Sequence, residues 1–261
     1  MTIQLGISWD GRLENPARQL IDATAGAGFD SVGLAGHLID CDIDCRTDSD
    51  VASALARAGI ACHEVMALTI SNNDQATLAA AGRIAKKAAL IRAPWVVTVF
   101  TADMDRRGIA RAKECAGILE REGTRMAVEF SPIGSVTSIP EALELVDTLG
   151  PDRSGLLIDS WHFFNGESTW DDLVRVPLEK IAYLQFSDAL SPASEDQMDE
   201  TMNRRTMPGK GAFDLERFAA TLLQREWVGL VSVEVLSGEL SIVPPAEFAR
   251  VAYESASRYW L

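Results

Sequence analysis

Short apolar runs alternate with longer amphipathic stretches from one end of the chain to the other. Residues 3–8, 31–34, 61–67, 95–100, 126–130, 155–159, 181–187 and 229–235 read as strands. Between and after them, helical spacing of apolar positions marks residues 16–26, 51–57, 77–90, 107–120, 140–149, a short piece from Trp170, 215–225 and 245–258. Strands such as Val96-Val97-Thr98-Val99-Phe100 and Leu230-Val231-Ser232-Val233-Glu234-Val235 are apolar at nearly every position. That is the pattern of strands covered on both faces. Glycines 26, 59, 123 and 150 stand before the next strand, where helix exits commonly need them. Eight β-then-α units in 261 residues predict a single-domain (β/α)8 TIM barrel over residues 1–261. An open doubly wound sheet is the competing fold, but no glycine-rich phosphate fingerprint follows the first strand.

Composition narrows the partners. Lys plus Arg is 24 and Asp plus Glu is 38, a net charge of −14, which repels nucleic-acid phosphate and anionic membranes. No apolar stretch approaches the roughly 18 residues of a membrane span. The start, Met1-Thr2-Ile3-Gln4-Leu5-Gly6, lacks the basic and apolar regions of a secretory signal, so the expected location is cytoplasmic. Four cysteines in a chain this long make no disulfide framework. The apolar tail Tyr259-Trp260-Leu261 suits either a homodimer interface or a helix capping the barrel.

In a barrel of this kind, chemistry sits at the carboxyl ends of the strands. Four consecutive strands place an oxygen-bearing side chain there, inside otherwise apolar runs: Glu129, Asp159, Gln185 and Glu234. Three carboxylates buried together need a counter-charge. Three carboxylates and an amide oxygen form an all-oxygen site, which suits Mg2+ or Mn2+. The plainer alternative pairs each carboxylate with a buried Arg or Lys, or leaves it in water on the rim. A second cluster, His37, Cys41, Cys45 and His63, lacks the usual Zn2+ spacing and reads as buried thiols with a pocket histidine.

The runs Val128-Glu129-Phe130, Ile158-Asp159-Ser160-Trp161-His162, Gln185-Phe186-Ser187-Asp188, Pro208-Gly209-Lys210-Gly211 and Ser232-Val233-Glu234-Val235 resemble the xylose isomerase-like TIM-barrel superfamily. Within it they look like the sugar phosphate isomerase/epimerase group, whose relatives include inosose-handling enzymes and 3-dehydroshikimate dehydratases. The resemblance is strongest from Glu129 onward. It implies one divalent ion, Mn2+ or Mg2+ with Co2+ a further option, held by Glu129, Asp159, Gln185 and Glu234. It assigns His162 as a base or substrate contact and Arg205 as a substrate contact. Arg204 competes for the latter role. Gln185 departs from the histidine usual in sugar epimerases and matches the dehydratase pattern; Lys210 stands where Glu is common.

Guanidinium binds oxyanions at two points, which suits Arg205 to clamp a carboxylate or hydroxyl. Trp161, with Trp9, His37, Glu64 and Phe186, is a candidate for the pocket wall. The expected substrate is a small polyhydroxylated carbonyl compound. Glu129 and Glu234 as bases on two faces of a planar intermediate would epimerise or isomerise it. Proton abstraction by His162 with loss of a β-hydroxyl would instead dehydrate it. Two other classes remain: a DNA-repair endonuclease, opposed by three histidines in all and the −14 charge, and a non-catalytic binding protein.

Overall fold

Eight parallel strands close on themselves in the computed structural model, which describes residues 2–39 and 48–261. The strands are β1 (Gln4–Ser8), β2 (Ser31–Ala35), β3 (Ala61–Ile70), β4 (Trp95–Phe100), β5 (Arg125–Glu129), β6 (Ser154–Asp159), β7 (Ile181–Phe186) and β8 (Leu230–Glu234). Each pairs with its sequence neighbours, and β1 closes the barrel on β8 with Ser8 opposite Glu234. The outer layer consists of α1 (Ala17–Ala27), α2 (Asp48–Ala58), α3 (Asp74–Leu90), α4 (Arg106–Arg121), α5 (Ile139–Leu149), α6 (Ser160–Asn165), α7 (Trp170–Arg175), α8 (Gln197–Asn203), α9 (Leu215–Leu223) and α10 (Pro245–Trp260). The expected (β/α)8 architecture is what forms.

Local chemistry starts and stops these elements. The Asn73 side chain accepts from Ala76 N at 3.1 Å and begins α3; Asp105 accepts from Arg107 N and Gly108 N, both at 2.9 Å, and begins α4. Thr169 and Asp172 form a reciprocal capping box on α7. Helix α1 runs past Gly26, the expected exit, and ends at Gly28 with φ +95°, where a left-handed residue closes the last turn.

The apolar residues divide in two. A large cluster fills the space between barrel and helices, and a small one, Val97, Ala127, Leu157 and Tyr183, plugs the barrel interior. Side chains two apart on a strand share a face. The residues directly above that plug on β5, β6 and β7 are therefore Glu129, Asp159 and Gln185. Tyr259 and Trp260 pack on Phe186 and Trp227, so this part of the tail is used within the fold. Among the described residues no helix is long and apolar enough to cross a membrane.

Three pieces were not expected: α6, α8, and a two-residue antiparallel ladder between Asp188–Ala189 and Arg205–Thr206. All lie on the segments beyond β6 and β7. Strand β3 also runs to Ile70, beyond the expected residue 67, and its register against β4 shifts between Val65 and Leu68.

Candidate metal centre

Glu129, Asp159 and Glu234 are the last residues of β5, β6 and β8, and Gln185 is next to last on β7. Parallel pairing sets Asp159 beside Gln185. All four are buried. Gln185 Nε2 donates to Glu234 Oε1 at 3.1 Å, which leaves Gln185 Oε1 buried with no hydrogen-bond partner among the described residues. A buried acceptor without a donor is rare and costly unless something positive fills the gap.

The Asp159 side chain also accepts from Trp161 N at 2.7 Å, so β6 turns straight into α6. That turn brings His162 over the carboxylates, with Nε2 3.4 Å from Glu129 Oε1 and 3.8 Å from Asp159 Oδ2. One atom each from Glu129, Asp159 and His162 lie within 4.8 Å of one another. His162 therefore stands in the donor cluster itself, and its Nδ1 has no partner among the described residues. Trp161, about 100° further round the helix, lies behind. Its ring packs edge-on against His162 and 5.4 Å from the Arg205 guanidinium, away from the cavity surface. It supports the site rather than walling it. Trp9 and Phe186 are likewise core residues.

Arg205 sits on the far side of the carboxylates. Its Nη1 donates to Asp159 Oδ2 at 2.7 Å and to Glu234 Oε2 at 3.1 Å, while Nε and Nη2 bind the carbonyl and hydroxyl of Thr201 in α8. The expected substrate clamp is thus engaged by acids of the site. Arg204 points elsewhere, onto Glu200. Burial pushes the Glu234 carboxyl well above its ordinary range; Arg205 opposes this, and Asp159, Glu129 and Glu64 reinforce it.

A cavity of about 360 Å3 opens above this layer. Glu129, His162, Arg205 and Glu234 line one side; Met66, Val97, Val99 and Phe100 line the other; Met198, Thr201 and Met202 of α8 form a roof. Arg12, beyond β1, holds α8 in place by donating to Asn203 Oδ1 at 2.8 Å and to the Met202 carbonyl. It is itself paired with Asp10 at 2.6 Å.

The donor set fits a divalent ion. Glu129, Asp159 and His162 form the close donor group, Glu234 is joined to it through Arg205 and to Gln185 through Nε2, and the Gln185 oxygen is unpartnered among the described residues. Of the alternative cluster, Cys41 and Cys45 lie outside the described residues. His63 hydrogen-bonds Ser31 Oγ at 3.0 Å, and Cys62 and Cys115 are buried free thiols.

Sequence reasoning undervalued Glu64 and missed Tyr183. Both are fully buried inside the barrel, below the four donors, and the Tyr183 hydroxyl donates to Glu64 Oε2. The signal for Glu64 was present, since it too is an acid within an apolar strand.

Comparison with known proteins gives the family and the fold. The xylose isomerase-like TIM barrel family matches residues 21–256, and the chain belongs to that family. An inosose isomerase of Bacillus licheniformis is 30% identical over 159 residues, 60% of this chain and 56% of that protein. A 3-dehydroshikimate dehydratase of Pseudomonas aeruginosa is 29% identical over 123 residues, 47% of this chain and 19% of that protein. The chain thus aligns with about half the length of the inosose isomerase and a smaller share of the dehydratase. Among solved structures, the IOLI protein with a zinc atom bound superposes with a TM-score of 0.81 at 20% identity, over 98% of this chain and 99% of that chain.

Proposed function

We propose that this protein is a divalent-metal-dependent isomerase or epimerase of small polyhydroxylated carbonyl compounds, with unphosphorylated cyclic ketones of the inosose kind first among them. The observation that carries the reading is the buried group of Glu129, Asp159 and His162 donor atoms within 4.8 Å of one another, at the carboxyl ends of strands where Gln185 and Glu234 also stand and the Gln185 oxygen is left unpartnered among the described residues. Glu129, Asp159, Gln185 and Glu234 would hold the ion, with His162 a fifth donor within reach. An ion so held supplies positive charge against the negative charge that develops when a proton leaves the carbon next to a carbonyl. Oxygen donors favour Mn2+ or Mg2+; a nitrogen from His162 widens the choice to Co2+ or Zn2+.

The chain's own groups do the rest. Glu129 and Glu234 both border the cavity and serve as proton acceptor and donor for the reacting carbon. Arg205 keeps Asp159 and Glu234 in place. The apolar face formed by β3 and β4, under the roof of α8, excludes water and suits the flat side of a ring. Charge argues against a phosphorylated substrate. Among the described residues, the two arginines that line the cavity are Arg12 and Arg205, and both are already bound to carboxylates. A phosphate dianion would find no unengaged cation.

A second reading, dehydration of a 3-dehydroshikimate-like acid, is favoured by Gln185 and by the Pseudomonas relative. One experiment separates the two. Metal-stripped protein is reloaded with Mn2+, Mg2+, Co2+ or Zn2+ and assayed on inososes, ketohexoses, their phosphates and 3-dehydroshikimate. Interconversion of the neutral ketones supports the first reading. Ultraviolet absorbance of a conjugated acid growing only from 3-dehydroshikimate replaces it with the second.

A further inference from the structure

Helix α8 turns its two methionines toward the cavity rather than toward the core. Met198 and Met202, four residues apart and so on one side of the helix, both line the cavity above the donor layer. Neither belongs to the apolar clusters that build the fold, and Met198 is 54% exposed. Val97, Val99 and Phe100 of β4 line the same cavity, and Ile133, after β5, adds another exposed apolar side chain. Three hydroxyl side chains line it as well, and each is already engaged within the protein. Thr101 Oγ1 donates to the Ile70 carbonyl at 3.4 Å, Ser131 Oγ accepts from Ile133 N at 3.4 Å, and Thr201 Oγ1 accepts from Arg205 Nη2 at 2.8 Å.

This lining selects its occupant. At about 360 Å3, and bounded by wall, roof and donor layer, the cavity has the size of a small-molecule site. A ligand with hydroxyls all round would exchange water for carbon over much of its surface, and a buried hydroxyl without a partner is costly. An apolar group gains there instead, in proportion to the area it removes from water. Both cavity arginines are paired with carboxylates, so the group is uncharged. Methionine sulfur makes favourable contacts with aromatic rings, and its unbranched chain adapts to their shape. We infer that Met198 and Met202, over β4, form an apolar subsite for an uncharged aromatic ring that the substrate carries as a substituent on its polyhydroxylated carbonyl part. The inference rests on the polyhydroxylated-carbonyl reading above and deepens it: the polyol part lies at Glu129 and Glu234, and the ring lies under α8.

The test compares two ethers of one neutral cyclic polyol, mono-O-benzyl- and mono-O-methyl-scyllo-inositol, binding to the Mn2+-loaded full chain by calorimetry. All hydroxyls of scyllo-inositol are equivalent, so each ether is a single compound and the pair differs only by the aromatic ring. The benzyl ether is expected to bind about 10- to 100-fold tighter, the scale of burying the apolar area of one ring. Met198→Gln with Met202→Gln keeps side-chain length and helix propensity but makes the roof polar, and should bring that preference below about 3-fold. Met198→Leu with Met202→Leu keeps the roof apolar and should keep the preference. Met198→Gln alone, at an exposed position, stands in if the glutamine pair does not fold, and should lower the preference by at least about 3-fold. Equal binding of the two ethers overturns the proposal alone. A preference that survives the glutamines also overturns it, since the ring then lies elsewhere, and so does a loss as large with leucines as with glutamines. Failure of both ethers to bind the unsubstituted protein overturns the polyol reading and this proposal together.

Discussion

At the mouth of the barrel, β5 to β8 present Glu129, Asp159, Gln185 and Glu234, whereas β3 and β4 present Met66, Val97, Val99 and Phe100. Both sets occupy the same end of one continuous sheet, and Glu129 and Glu234 of the first line the same cavity as all four of the second. The first set concentrates charge, Arg205 ties Asp159 to Glu234, and the Gln185 oxygen has no hydrogen-bond partner among the described residues. The second set carries no charge. Chemistry and shape are therefore assigned to opposite sides of the ring, so each can be altered with limited effect on the other.

The largest expected effect comes from the charged side. Asp159 anchors Arg205, caps α6 and faces His162, so Asp159→Asn disturbs three contacts at once. Turnover of the true substrate is expected to fall about 10³-fold, the scale of losing a group that positions charge at the reacting centre. Mn2+ titration of the same variant should show binding lost or severely weakened. Near-normal turnover would mean that the acids on β5 to β8 are structural.

A smaller effect, of another kind, is expected from the apolar side. Phe100 is 2% exposed and ends β4 against the cavity. Phe100→Ala removes a packed ring and should cost about 3–4 kcal/mol of stability in urea unfolding. Its Mn2+ affinity should stay within about 3-fold of the unsubstituted value, by the additivity of separated sites. Metal affinity that collapses along with stability would show that the two walls are coupled.

The same contrast decides what could be read from the sequence. The barrel was legible because its strands are covered on both faces and so appear as unbroken apolar runs. Glu129, Asp159, Gln185 and Glu234 were legible because each interrupts such a run at a carboxyl end. Glu64 interrupts one too, but its height in the barrel depends on register. That register slips between Val32 and Gly33 on β2 and between Val65 and Leu68 on β3, where no sequence pattern marks it. Helix α8 reads Gln-Met-Asp-Glu-Thr-Met-Asn, whose one apolar pair, Met198 and Met202, is too little to mark a helix in a polar loop. It is held by Arg12, distant in sequence, and by Arg205, four residues beyond Thr201. Arg205 lines the cavity, but a substrate clamp and a brace for Asp159 and Glu234 have the same sequence signature. Trp161 and His162 are neighbours that a strand would also separate, and only the start of α6 decides which one faces the cavity.

The smallest expected effect probes the polar interior of the first half-barrel, and its sign is opposite to that of its neighbour. His63 is buried, bonded to Ser31 Oγ at 3.0 Å and stacked edge-on against Tyr183. Burial lowers its pKa to about 3. The unfolded chain takes up this proton below about pH 6.5 while the folded chain does not, so the native state loses stability as pH falls through that value. Glu64 does the reverse: its pKa is raised to about 7, so the folded chain holds a proton that the unfolded chain lacks, and it gains stability as pH falls from 7 toward 4.5. In the unsubstituted protein the two largely offset one another in that window. His63→Gln removes one side only. Relative to the unsubstituted protein, the stability of metal-free His63→Gln in urea should therefore improve by about 1.4 kcal/mol between pH 7.5 and 5.5, one pH unit below the free histidine pKa. A difference that does not change with pH would mean that His63 protonates freely within the fold, and that the interior beneath the donors admits charge as readily as the mouth above it.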